Sequence, residues 1–246
     1  MPERAPAEFD DYRDSYRGAV EDSIAFVSAD LDFFTAAKAR TLLELAAARV
    51  GSPDRLSFLD VGCGTGETDR FLTGRVGRLA GVDVSAGMLD RARAANPGVD
   101  YRLSGKGEGL PFADGAFDVS FAVCVLHHVP LGDRRPFVAE MARVCRPGGL
   151  VSIFEHNPFN PLTRRAVASC EFDRDAALLR RREAAGLLRN GGLSDPLDRY
   201  IVFFTRTSPL LRRIERRLGR IPLGAQYVVA AQRPRGAGVQ ALGGRD

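Results

Sequence analysis

Apolar and polar positions change period along this chain, and the changes divide it into elements. Between residues 56 and 155, short apolar runs alternate with segments whose apolar residues recur at helical spacing. The runs predict strands at 56–61, 79–84, 99–103, 117–124 and 149–155, and the intervening segments predict helices at 67–74, 86–95 and 133–145. Ser85 and Asp133 stand where N-caps belong, and Pro147-Gly148-Gly149 closes the last of these helices. Upstream, residues 8–50 read as helices, with Leu31, Phe34, Leu42, Leu45 and Ala46 near helical spacing, until Gly51-Ser52-Pro53 stops them. Downstream, Asn160-Pro161 opens a short helix to Ser169, and Asp173 caps another that runs to Arg189 and ends at Gly191-Gly192. Tyr200–Thr205 and Tyr227–Ala231 predict two more strands, with a helix between them from Ser208-Pro209 to Leu218. Alternating strands and helices imply an α/β, doubly wound sheet with helices on both faces.

Composition narrows the classes. A chain of 246 residues with 45% hydrophobic content can bury a sizeable core. No apolar run nears the roughly 18 residues of a membrane span, and the charged start Met1-Pro2-Glu3-Arg4 has no apolar stretch behind it. A cytoplasmic protein with no membrane partner is expected. Cys63, Cys124, Cys145 and Cys170 are too far apart for a zinc-type pair and read as reduced thiols. The formal net charge is only +4, and Lys38 and Lys106 are the two lysines among 35 basic residues. Nucleic acid is therefore not an expected partner.

The chemistry gathers where the first strand ends. Phe58-Leu59-Asp60-Val61-Gly62-Cys63-Gly64-Thr65-Gly66-Glu67 is a buried strand running into a glycine turn. Asp83 follows at the end of the next apolar run. This order describes a site for a nucleoside with free ribose hydroxyls. A dinucleotide fingerprint places its third glycine three residues after the second, where this chain has Glu67. Its third glycine is Gly66. The tight G-x-G-x-G turn resembles motif I of the class I S-adenosylmethionine (SAM) dependent methyltransferases. Four further segments resemble that family in order: Asp83, the stretch Gly105-Lys106-Gly107-Glu108-Gly109-Leu110-Pro111-Phe112, Phe121–Pro130, and Glu140–Leu150. Together they span roughly residues 55–155 and resemble its bacterial type-11 group.

The resemblance implies a Rossmann-like sheet of about seven strands, mostly parallel with the last antiparallel, and a helical N-terminal lid. It implies SAM as cofactor, S-adenosyl-L-homocysteine as product, and the activity of a methyltransferase (EC 2.1.1.-). Asp60, Gly62, Cys63, Gly64 and Gly66 would shape the methionine half of the pocket. Asp83 would accept from both ribose hydroxyls, and Val84 and Met88 would pack on the adenine. Lys106 stands where relatives carry an aspartate for the adenine amino group, and an ammonium cannot accept that bond. Gly107 backbone or Glu108 would serve instead. Cys124 and Val125 would line the rim, and Tyr16 or Tyr12 would touch the methionine carboxylate. Residues 1–50 would form the lid, 51–232 the SAM-binding domain with acceptor-site insertions around 157–198, and 233–246 a disordered tail.

His127, His128 and His156 are the three histidines, and all fall at the ends of the predicted fourth and fifth strands, with Glu155 beside them. They are candidates to take a proton from an acceptor; hydrogen bonding to neighbouring loops is the plainer role. No carboxylate set marks a metal site, so a metal-independent in-line displacement onto an O, N or C atom of a small molecule, such as a specialised metabolite, is expected. The oligomeric state stays open. Arg180-Arg181-Arg182 and Arg212, Arg213, Arg216, Arg217 and Arg220 decorate two helices and read as solvated faces. Three alternatives stand: an RNA or protein methyltransferase using those faces, a SAM-binding module without turnover, and a nicotinamide-dependent oxidoreductase, which the position of Gly66 disfavours.

Overall fold

A computed structural model describes residues 15–27, 30–105, 107–173, 175–206 and 208–235. Tyr12, Lys106 and the chain from residue 236 lie outside the described residues. Two helices come first, α1 (Tyr16–Ile24) and α2 (Leu31–Arg49). The core follows as β1 (Ser57–Val61), β2 (Arg78–Asp83), α3 (Ala86–Ala95), β3 (Asp100–Leu103), β4 (Phe117–Val123), α4 (Arg134–Val144) and β5 (Cys145–His156). Then come α5 (Pro161–Ser169), α6 (Arg181–Asn190), β6 (Ser194–Ile201), α7 (Pro209–Leu218) and β7 (Gln226–Gln232).

The seven strands form one sheet in the order β3-β2-β1-β4-β5-β7-β6. The first five pair in parallel, and β7 is antiparallel to both β5 and β6. Period-two alternation assigns each strand residue a face. Leu59, Val61, Val229 and Ala231 join α4 and α6 in one core, while Phe58, Phe121, Phe154, Val228 and Ala230 pack against α2 in the other. The chain turns outward in opposite directions from β1 and β4, so the crevice between their carboxyl ends is the switch point where such sheets bind ligands.

Capping follows the sequence at three helices. Ser85 accepts from Met88 N, Asn160 from Leu162 N and Thr163 N, and Ser208 from Leu211 N. Asp133 makes no side-chain cap bond. Four expectations need correction. The helix expected at 67–74 is a single 3-10 turn, Asp69–Phe71, because the Asp69 carboxylate is drawn into the core by the Tyr101 hydroxyl at 2.7 Å. Asp173 caps no long helix; it ends a short 3-10 turn, and α6 begins only at Arg181. The sixth strand precedes its expected place, since Val202 has a positive φ of 61° that breaks the ladder. Arg233, expected in a loose tail, is knitted to the fold: its guanidinium donates to the carbonyls of Ala142, Arg143 and Cys145.

Candidate active site

The turn after β1 is built from three glycines with positive φ, Gly62 (79°), Gly64 (53°) and Gly66 (74°), a region side chains avoid. They differ in what surrounds them. A Cβ on Gly62 would lie 2.7 Å from Val125 Cγ2, and one on Gly66 2.5 Å from Asn96 Nδ2. A Cβ on Gly64 would meet nothing within 4 Å. Gly62 and Gly66 thus let the turn pack on the protein, while Gly64 borders open space. Cys63 is buried beside the turn, and burial raises its thiol pKa.

Asp83 is fastened across this turn. Gly64 N donates to its Oδ2 at 2.8 Å, and Ser85 N to its Oδ1 at 3.0 Å. A carboxylate so held keeps acceptor capacity on both oxygens. Val84 is 38% exposed beside it, and Met88 is buried. On the far side of the turn Asp60 is buried, and burial first, then the nearby acids Asp69 and Asp83, push its pKa well up. Asp60 Oδ1 and Asp69 Oδ1 are both buried without a hydrogen-bond partner, and burial pushes Asp69 to about 7. A proton kept on Asp60 lowers the cost of burying two acids side by side. Asn96 completes the support, donating to Gly66 O at 3.0 Å and Tyr101 Oη at 3.1 Å. The loop after β3 carries Gly107, with a φ of 75°, and the exposed Glu108. Glu140 and Arg143 of α4 pin it: Glu140 accepts from Leu110 N, and Arg143 donates to the carbonyls of Leu110 and Phe112.

The second half of the site lies at the ends of β4 and β5. Cys124 holds a φ of 57°, uncommon for a residue with a side chain, and its N–H donates to Phe154 O at 2.8 Å. That bend turns the next residues across the end of β5. Glu155 is fully buried; its Oε1 accepts from Leu126 N at 2.8 Å and His127 N at 3.3 Å, and its Oε2 lies 2.6 Å from His127 Nδ1. His127 Nε2 in turn lies 3.2 Å from Asp173 Oδ1, and His128 Nε2 lies 3.3 Å from the same oxygen. The three imidazoles are neighbours, with ring centroids 4.1 Å apart for His127 and His128 and 5.2 Å for His127 and His156.

Charge separates the three rings. Burial opposes a proton on His127, but the carboxylates of Glu155 and Asp173 outweigh it and hold its pKa well above the usual value. Burial would raise both acids, yet His127 keeps both below their usual range. His156 is pushed down to about 4, by burial and then by the cationic His127; the same causes lower His128. At neutral pH one imidazolium therefore sits between two carboxylates, with two neutral imidazoles beside it. Donor atoms of His127, His128 and Asp173 all lie within 4.8 Å of one another, a spacing that could also hold a metal ion.

The fold brings together His127, His128, His156 and Glu155, and it sets Asp60, Gly62, Cys63, Gly64, Gly66 and Asp83 around one turn. Tyr16, on α1, lies 5.1 Å from Phe172 (ring centroids) beside the Asp173 segment. Two residues of the site belong to no chemical motif in the sequence. Asp173 comes from a distant turn whose only visible signal is capping character. Lys38 is buried on α2 and reaches Cys124 Sγ at 4.0 Å; a lone lysine on a helix that packs on the sheet carries no pattern. α1 closes over this edge through Arg17, which donates to Glu67 and Asp32, both at 2.8 Å. The opening beside Gly64, the two-oxygen acceptor of Asp83 and the ammonium of Lys38 suit a ligand that joins a ribose diol to a carboxylate.

The family model described as a methyltransferase domain matches residues 59–153. The 27-O-demethylrifamycin SV methyltransferase of Amycolatopsis mediterranei is 39% identical over 106 residues, which cover 41% of this chain and 38% of that protein. A demethylmenaquinone methyltransferase of Renibacterium salmoninarum is 29% identical over 162 residues, covering 65% and 62%. The aligned part thus spans well under the full length of these curated relatives. A solved SAM-dependent methyltransferase of Thermotoga maritima, described as a possible histamine N-methyltransferase, superposes with a TM-score of 0.60 at 20% identity, covering 82% of this chain and 92% of that one. No described helix is long and apolar enough to cross a membrane. Residues 59–153 are thus a methyltransferase domain, set in a sheet that has the fold of solved SAM-dependent methyltransferases.

Proposed function

We propose that this protein transfers a methyl group from SAM to an O, N or C atom of a small-molecule acceptor. One observation carries the reading. Asp83 is clamped by Gly64 N–H and Ser85 N–H, and the cluster of histidines stands at the ends of β4 and β5, with β4 next to β1 in the sheet. A nucleoside holder thus adjoins groups that can handle a proton. The names of relatives, which concern rifamycin and demethylmenaquinone, support a small-molecule acceptor.

Bound SAM would supply a methyl group already made electrophilic by its sulfonium. Asp83 would hold the ribose, Val84 and Met88 the adenine side, with Gly107 or Glu108 serving its amino group. Gly64 admits close approach of the methionine portion, and Lys38 would meet its carboxylate, with Tyr16 nearby. Asp60, Gly62, Cys63, Gly66 and Val125 shape the turn that does this. Glu155 and Asp173 act as positioning residues that fix His127 as a cation. His156, at the end of β5 with its ring centroid 5.2 Å from that of His127, is the group we assign to accept a proton from the acceptor; His128 shares the rim. Alignment and exclusion of water supply most of the acceleration. The sulfonium activates the methyl group without a Lewis acid, and His127 already occupies Asp173 at 3.2 Å, so the reaction is read as metal-independent. Residues 1–50 serve as lid, and 157–198 as the acceptor wall.

Calorimetry with SAM and S-adenosyl-L-homocysteine tests the first half, and mass spectrometry of co-purified ligands tests the second. SAM binding in the micromolar range and a co-purified small molecule that gains 14 mass units on incubation (the mass of one CH2, roughly a methyl for a proton) are expected. No measurable SAM binding would overturn the reading.

A further inference from the structure

α7 is unlike the other helices of this protein. None of its residues is buried. Its apolar residues Leu210, Leu211, Ile214 and Leu218 fall on one side, and Arg212, Arg213, Arg216 and Arg217 on the other. Leu211 and Leu218 are partly covered, but Leu210 is 67% and Ile214 38% exposed. The turn that follows continues the pattern, with Arg220 exposed, Ile221 at 42% and Leu223 at 65%.

The arginines are free to act outward. Elsewhere in this protein arginines meet acids: Arg143 with Glu140 and Asp114, Arg146 with Asp118, Arg181 with Asp198. Among the described residues, none of the five arginines at 212–220 has a carboxylate partner. The single acid of α7, Glu215, is turned inward and accepts from Phe203 N at 2.7 Å. This leaves a cationic stripe flanking exposed aliphatic side chains, the composition of a helix that lies at a lipid headgroup boundary.

Position ties this face to the site. β5 and β6 both pair antiparallel with β7, so they run the same way, and His156, Gln226 and Ile201 stand in register. α7 therefore leaves the same sheet edge as His156. The turn after it is stitched to the start of the acceptor wall: Asn157 donates to the carbonyls of Pro222 and Gly224, Asn160 to that of Leu223 at 2.7 Å, and Thr163 to that of Ala225 at 2.8 Å. There Phe159 and Leu162 are 55% and 57% exposed, extending the apolar rim.

We propose that this face docks on an anionic lipid surface, with α7 at headgroup depth, and that the acceptor is an amphiphile drawn from that surface. The second clause rests on the acceptor-site reading above; the first does not. A second copy of the chain is disfavoured by repulsion between the like charges. RNA is disfavoured because the face is mainly aliphatic, with Phe159 the one ring among its named exposed side chains.

The test is sedimentation of the full chain with vesicles of phosphatidylcholine alone, or with a third of phosphatidylglycerol. SAM calorimetry runs on the same samples. Binding to the anionic vesicles is expected, weakening as salt rises. Arg213→Ala/Arg216→Ala/Arg217→Ala should lower partitioning at least tenfold, near fivefold per arginine. Leu210→Ser/Ile214→Ser should weaken it at every salt concentration. Both variants should keep the parent's melting temperature and SAM affinity, since these positions lie outside the core. Absence of binding to anionic vesicles, equal binding to both kinds, or triple-variant partitioning equal to the parent's would overturn the proposal. So would tighter binding of the parent to tRNA than to the vesicles. Loss of SAM binding with vesicle binding intact would instead sink the methyltransferase reading alone.

Discussion

Replacing Asp83 by Asn changes almost no volume, and so isolates the electrostatics of the proposed ribose holder. In the structure both carboxylate oxygens face backbone donors, Gly64 N–H at 2.8 Å and Ser85 N–H at 3.0 Å. An amide has one acceptor oxygen, so its NH2 must confront one of those N–H groups. Two losses follow. One backbone donor is left facing another donor, at a cost of about 1–3 kcal/mol to the turn if no water intervenes. One ribose hydroxyl loses an ionised acceptor, about 1.5–3 kcal/mol. The second loss alone raises the dissociation constant for SAM by roughly ten- to a hundredfold. Calorimetry should show that rise for SAM and S-adenosyl-L-homocysteine alike, because the two share the ribose, together with a melting temperature a few degrees lower. Asp83→Ala should weaken binding by at least tenfold as well. A dissociation constant within threefold of the parent's in Asp83→Asn would refute the ribose assignment, whatever happened to stability.

Four further outcomes are expected. Gly66→Ala must displace Asn96 or Tyr101, so it should lower the melting temperature clearly; Gly64→Ala, with open space around it, should cost less stability but impair SAM binding, and the reverse ranking would contradict the packing argument. His127 has a folded pKa raised above its unfolded value, so its contribution is complete below about pH 6.5 and lost as pH climbs through the raised value; Glu155 and Asp173 are depressed, so theirs is present above about pH 4 and lost on acidification. Melting curves should therefore weaken toward both extremes, and His127→Gln should flatten the alkaline limb; an unaltered alkaline limb would argue against a cationic His127. With the acceptor in hand, His156→Ala should lower kcat while SAM affinity stays intact, and full turnover would remove it as the base. Dialysis against a chelator should leave turnover unchanged, whereas loss restored by a divalent metal would place an ion among His127, His128 and Asp173.

Strand and helix periods set the order of elements from residue 57 to 156, because each buried run has to alternate with a helix able to cover it. The glycine turn and Asp83 are legible in the chain for a local reason: positive φ and a strand-end acid leave residue-specific marks at short range. What no period can reveal is contact between distant segments. Asp69 abandons a helix because Tyr101 waits in the core, and Asp173 meets His127 and His128 across 46 and 45 positions of chain. Glu155 is marked as chemistry by its neighbour His156, yet its oxygens are spent on the backbone and ring of the 126–127 loop. Lys38 and the stitching of Asn160 to Leu223 likewise exist only once the sheet has closed. Sequence alone determined where the glycine turn and its strand-end acid fall, since short-range sterics and apolar period decide that. Tertiary structure alone decided which histidine bears charge and which face looks outward, because burial and opposing charge arise only when remote side chains are brought together.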